Sequence, residues 1–133
     1  MRVVLDTNVY ISAVSFGGVP LLVVRHAERG TYELATSEPI QHEVERILCD
    51  KFGWSTEKVS EAIHPLWEIA HVVTPLKSVA ASRDESDNRI LECAVEASAD
   101  CIVNGDKDLL DLRAFEAIPI LTPRQFFALM TAG

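Results

Sequence analysis

Cysteine is scarce in this 133-residue chain, and Cys49, Cys93 and Cys101 form no Cys-x-x-Cys pair. An odd, scattered set of thiols excludes a disulfide framework and a zinc ribbon. It reads instead as small buried side chains in a reduced compartment. Histidine offers no metal site either. His26, His42, His64 and His71 lack ligand spacing, and His42-Glu43 fails as a zincin motif because Arg46 stands where the second histidine belongs. No apolar run approaches the roughly 18 residues of a membrane span. The opening MRVVLDTN enters a strand directly, so no signal peptide is expected; the prediction is a cytoplasmic protein without a membrane partner.

Basic charge is also in short supply. Twelve Lys and Arg face twenty Asp and Glu, for a net charge of −8. That balance excludes a general phosphate-binding surface. A nucleic-acid partner then requires local contacts, or metal ions that reverse the charge where contact is made.

What the chain does contain is an alternation of strands and helices, without repeats or low-complexity segments. Arg2–Leu5 reads as a strand closed by Asp6, and Pro20–Arg29 as a helix stopped at Gly30. Tyr32–Thr36 is a second strand. Ser37 caps a helix running to about Phe52, ended by Gly53. A helix from Thr56 to about Ala70 should kink or shorten at Pro65, and Val72–Thr74 is a short strand. A linker, PLKSVAASRDESD, leads into a helix from about Asp84 to Ser98. Cys101–Asn104 and Ile118–Leu121 are strands, and Thr122-Pro123-Arg124-Gln125 opens a last helix as a capping box. The length fits one domain, 1–133. The pattern predicts an α/β fold with a mainly parallel sheet, whose sites form beyond the carboxyl ends of the strands. Asp6 closes the first strand and Asp106 follows the fourth, so both belong to one edge.

Two helices carry acids in informative places. Ile40, Val44, Ile47 and Leu48 form the apolar stripe of the helix after strand two, with Glu43 at its border and Glu38, His42 and Glu45 opposite. In the helix from Asp84 the stripe is Ile90, Leu91, Ala94 and Ala97, while Glu85, Glu92 and Glu96 are expected to face away. Asp87 projects into that stripe one turn before Ile90, and Asp84 lies at its edge as a candidate cap. A carboxylate on a buried face needs a partner. Few Lys or Arg residues are placed to pair with Asp6, Glu43, Asp87 and Asp106 together, and a hard divalent cation, Mg²⁺ or Mn²⁺, would relieve their repulsion.

The stretches LDTNVYISA (5–13), SEPIQHEVERIL (37–48), DESDNRILECAVEASADCIVNGDKDLL (84–110) and ILTPRQFF (120–127) resemble the PIN domain. Among single-domain members the chain is most similar to the toxin ribonucleases of VapC-like type II toxin–antitoxin pairs. The resemblance implies a three-layer α/β/α fold whose five-stranded parallel sheet has the order 3-2-1-4-5. It implies Mg²⁺- or Mn²⁺-dependent endoribonuclease activity leaving a 5′-phosphate and a 3′-hydroxyl. It further implies an RNA substrate, a cognate antitoxin and a homodimer or higher homo-oligomer. Asp6, Glu43, Asp87 and Asp106 match the family's four acids, catalytic and metal-holding, and Asp108 matches an acid present in many members, which reaches the metal through water or caps the short helix at Leu109. Asn8 matches the small polar residue beside the first acid. Asn104 stands where many members carry a hydroxyl residue.

Two other readings remain open at this stage. One is a PIN module that has lost catalysis and only binds RNA or protein. The other is a haloacid-dehalogenase-type phosphatase, with Asp6 as nucleophile and Gly105-Asp106 with Asp111 as its metal motif; Asn8, in place of that family's second acid, speaks against it. The helices holding Leu21, Val24, Ile63, Leu66 and Trp67 are apolar enough to supply an oligomer interface.

Overall fold

Strand β1 (Arg2–Leu5) buries Val3, Val4 and Leu5 completely, a continuous apolar run of the kind a central parallel strand requires. The computed structural model describes residues 1–105, 107–110 and 112–132, with the backbone alone described at Lys107 and Asp108. After β1 the chain forms α1 (Thr7–Ser15), α2 (Gly18–Glu28), β2 (Glu33–Ser37), α3 (Glu38–Asp50), α4 (Thr56–Ile69) and β3 (His71–Val73). Helix α5 (Glu85–Glu96), β4 (Cys101–Val103), α6 (Lys107–Leu110), β5 (Ala114–Phe115), β6 (Ile118–Leu121) and α7 (Pro123–Thr131) complete it.

The sheet order is β3-β2-β1-β4-β6-β5. Its first five strands are parallel, in the arrangement expected from the resemblance. The sixth strand, β5, is an addition: it pairs antiparallel with β6 through Ala114↔Pro119 and Phe115↔Ile118. Its tight turn holds Glu116 and Ala117 at φ of 49° and 67°, the left-handed conformation that a two-residue hairpin of this hand demands. No glycine marks that turn in the sequence. Strand order reverses between β1 and β4, whose registers pair Val3 with Cys101 and Leu5 with Val103.

Helix α1 is a second addition. Asp6 caps it, and Thr7, Val9, Tyr10, Ile11 and Ala13 are all buried, so burial runs nearly all round instead of forming a stripe. Helix α4 continues through Pro65 to Ile69 instead of ending there. Tyr10 meets Trp67 edge-on at 5.1 Å, and Tyr32 meets Phe126 at 5.0 Å, fixing α1 to α4 and β2 to α7. Val24, Ile63 and Leu66, offered above for an interface, belong to this core. Among the described residues no single helix is long and apolar enough to cross a membrane.

Candidate functional site

The backbone N–H of Asp6 donates to the Val103 carbonyl at 2.9 Å, and that of Asn104 to the Leu121 carbonyl at 2.8 Å. Both residues therefore sit where their strands end, on either side of the reversal in strand order. Asp6 is 3% exposed, and its Oδ2 accepts from the Asn8 N–H at 3.2 Å. It thus caps α1, and the positive end of the helix favours its charge. Asn8 itself is exposed, whereas Asn104 is fully buried.

Helix α3 starts directly after β2, and α5 runs back toward the start of β4, so the first turns of both lie on this same edge. Asp87, in the first turn of α5, is 2% exposed, and the Ser82 hydroxyl donates to its Oδ2 at 3.1 Å. Asp84 is exposed and caps α5, accepting from the Ser86 N–H at 2.9 Å. That is the capping role its position allowed.

Glu43 is held from two sides. Arg46 Nη2 lies 3.0 Å from each of its carboxylate oxygens, and the Ser86 hydroxyl donates to Oε1 at 3.3 Å. The second contact ties α3 to the residue preceding Asp87. A cleft of about 190 Å³ runs between these elements, lined by Thr7, Pro39, Ile40, Glu43, Glu85, Ser86 and Arg89. It joins the neighbour of Asp6, the Glu43 carboxylate and the neighbour of Asp87. A larger open depression beside α4, about 460 Å³, holds none of the expected acids.

Among the described residues no three Asp, Glu, His or Cys side chains gather closely enough to hold a metal ion. Asp106, the fourth expected acid, lies outside the described residues, as do Asp111 and the side chain of Asp108. The candidate donors that are described, Asp6, Glu43 and Asp87, are carboxylates, the ligand chemistry that Mg²⁺ and Mn²⁺ select.

Sequence reasoning misplaced Glu92. It is only 9% exposed, accepts from the Val79 N–H at 2.8 Å and pairs with Arg89 Nε at 2.7 Å. Ser82, Asn88, Arg46 and Arg89 were not singled out as site residues. The burial of Asn88 beside Asp87, which widens the buried face of α5 beyond its apolar stripe, is visible only in the fold. Burial pushes the Cys93 thiol up to about 12 and that of Cys101 up to about 11, and it holds the Tyr10 phenol neutral. These groups are inert parts of the core.

A family model described as the PIN domain matches residues 2–108. The chain is 29% identical over 119 residues to the uncharacterized protein MJ1680 of Methanocaldococcus jannaschii, a match spanning 85% of this chain and 76% of that protein. Among solved structures it is similar to the crystal structure of VapBC2 from Rickettsia felis bound to a DNA fragment from their promoter. The TM-score is 0.66 over 92% of this chain and 98% of that one, at 11% identity, a likeness of fold. With the family model spanning most of its length, and with the strand order expected of that fold, the chain belongs to the PIN domain family.

Proposed function

We propose that this protein is a metal-dependent endoribonuclease and the toxin of a toxin–antitoxin pair. The observation that carries the reading is the burial of Asp6 and Asp87 at the carboxyl edge of the sheet, 3% and 2% exposed. Buried carboxylates at the carboxyl ends of a parallel sheet are the oxygen-ligand chemistry that a hard divalent cation selects. Asp6 and Asp87, joined by Asp106, would hold Mg²⁺ or Mn²⁺, with Asp108 as a further acid acting through water. When bound, the ion supplies Lewis-acid activation of water and screening of phosphate charge. Glu43 stands at the cleft wall, where its carboxylate would orient a water for attack, and Asn104 and Asn8 would complete the polar surround. An ion at this edge also explains how a chain of net charge −8 meets RNA.

The partners follow from the same reading: RNA as substrate, an antitoxin protein, and a second copy of the chain. The similarity to one half of a VapBC2 complex supports the antitoxin. Family membership speaks against the phosphatase reading. One observation favours a module that only binds: Arg46 already neutralises Glu43. Cleavage decides between them. Purified protein with Mn²⁺ should cut single-stranded RNA, and Asp6→Asn should lose about a hundredfold or more of that rate. Undiminished cutting in EDTA, or by the Asp6 variant, would contradict the metal site; no cutting by the parent would leave the binding module.

A further inference from the structure

The segment 74–84 joins β3 to α5 without helix or strand, yet its backbone is tied at three points to one face of α5. Leu76 N–H donates to Glu96 Oε1 at 3.0 Å, Val79 N–H to Glu92 Oε2 at 2.8 Å, and Ser82 N–H to Asn88 Oδ1 at 2.9 Å. The acceptors stand four residues apart on the helix and so share a face. The donors stand three apart on a chain running the opposite way.

The last rung is double, because Asn88 Nδ2 donates back to the Ser82 carbonyl at 3.0 Å. A side-chain amide can both accept from and donate to one residue's backbone, which a carboxylate cannot. Asn88 is 1% exposed, so this pairing satisfies a buried polar group as well as fixing the strap. With its backbone clamped, the Ser82 hydroxyl accepts from the Asp84 N–H at 3.2 Å and donates to Asp87 Oδ2 at 3.1 Å. The accepted bond directs the hydroxyl proton toward Asp87.

We infer that Ser82 and Asn88 are positioning residues for Asp87: the strap along α5 fixes Ser82, and Ser82 fixes the plane of the Asp87 carboxylate. The inference rests on the reading of Asp87 as a metal-holding acid. A hydrogen-bonded partner of this kind orients a ligand before the ion arrives, and its loss typically costs about tenfold to a hundredfold in metal affinity. Nothing in the apolar pattern of α5 requires a serine at 82 or an amide at 88.

The test is Mn²⁺ titration by calorimetry, with melting temperatures in EDTA, on the parent, Ser82→Ala, Ser82→Thr and Asn88→Asp. Ser82→Ala should bind Mn²⁺ about tenfold more weakly while melting in EDTA close to the parent. Ser82→Thr keeps the hydroxyl and should restore affinity. Asn88→Asp keeps the acceptor but loses the donor, and should also weaken Mn²⁺ binding. A Ser82→Ala protein that binds like the parent, or a loss that threonine does not restore, would overturn the inference alone. A parent that binds no Mn²⁺ would overturn the metal reading and the inference with it.

Discussion

At the amino end of the sheet, Arg2 reaches Glu33 at 3.1 Å and its backbone N–H donates to Asp100 at 2.7 Å, with both side chains of the ion pair a third or more exposed. At the carboxyl end, Asp6 and Asp87 are almost fully buried and accept from a backbone amide and a serine hydroxyl. The first arrangement matches opposite charges in water, where their removal alters little. The second places carboxylates out of water at the ends of neighbouring elements, where each is held by hydrogen bonds. One sheet thus has an end whose charges meet solvent and an end whose carboxylates are buried, the end to which the proposed function assigns a ligand.

The largest expected difference between the ends is in cleavage. Asp6→Asn should lose a hundredfold or more, whereas Arg2→Ala should cut RNA at the parent's rate; equal losses in the same assay would erase the contrast. A smaller effect comes from the core between them, where burial keeps groups neutral instead of charged. A free thiol titrates near 8.5, while Cys93 is pushed up to about 12 and Cys101 up to about 11. Their contribution to stability is therefore full below about pH 8.5 and is lost as pH rises toward those values. Urea melts should show the parent weakening between pH 8 and pH 10, by up to about 2 kcal/mol per thiol, and Cys93→Ala weakening less over that range. The smallest effect belongs to the exposed pair: Glu33→Ala should cost about 0.2–1 kcal/mol in the same melts, falling further in high salt.

The contrast between the ends also marks what could be read without coordinates. Parallel strands and amphipathic helices announce themselves by period, so β1, β2, β4, β6, α3 and α5 fall close to where the apolar residues put them. Asp87 was legible because a carboxylate interrupts the stripe of Ile90, Leu91, Ala94 and Ala97. Helix α1 was not: Thr7, Val9, Tyr10 and Ile11 are strand-prone residues buried on almost every side, and neither a stripe nor an alternation survives. The β5–β6 turn lacks the glycine that would have signalled it. The strap from 74 to 84 was invisible for a different reason. Its order comes from side chains of α5 bonding a distant backbone, and no local pattern encodes that. Glu92 was assigned to solvent on the same account, because an acid opposite an apolar stripe ordinarily faces water.

If the carboxyl edge carries buried acids for a metal ion, Asp87→Asn is the substitution that should reveal it. The substitution keeps shape and an acceptor for Ser82 while removing one charge. Thermal melts of parent and variant, each in EDTA and in Mn²⁺, separate the possibilities. In EDTA the variant should be at least as stable as the parent. Mn²⁺ should stabilise the parent, by about 2.7 kcal/mol at a hundredfold excess over its dissociation constant, with the variant gaining much less. A variant destabilised in EDTA whose response to Mn²⁺ equals the parent's would contradict a metal site at this edge.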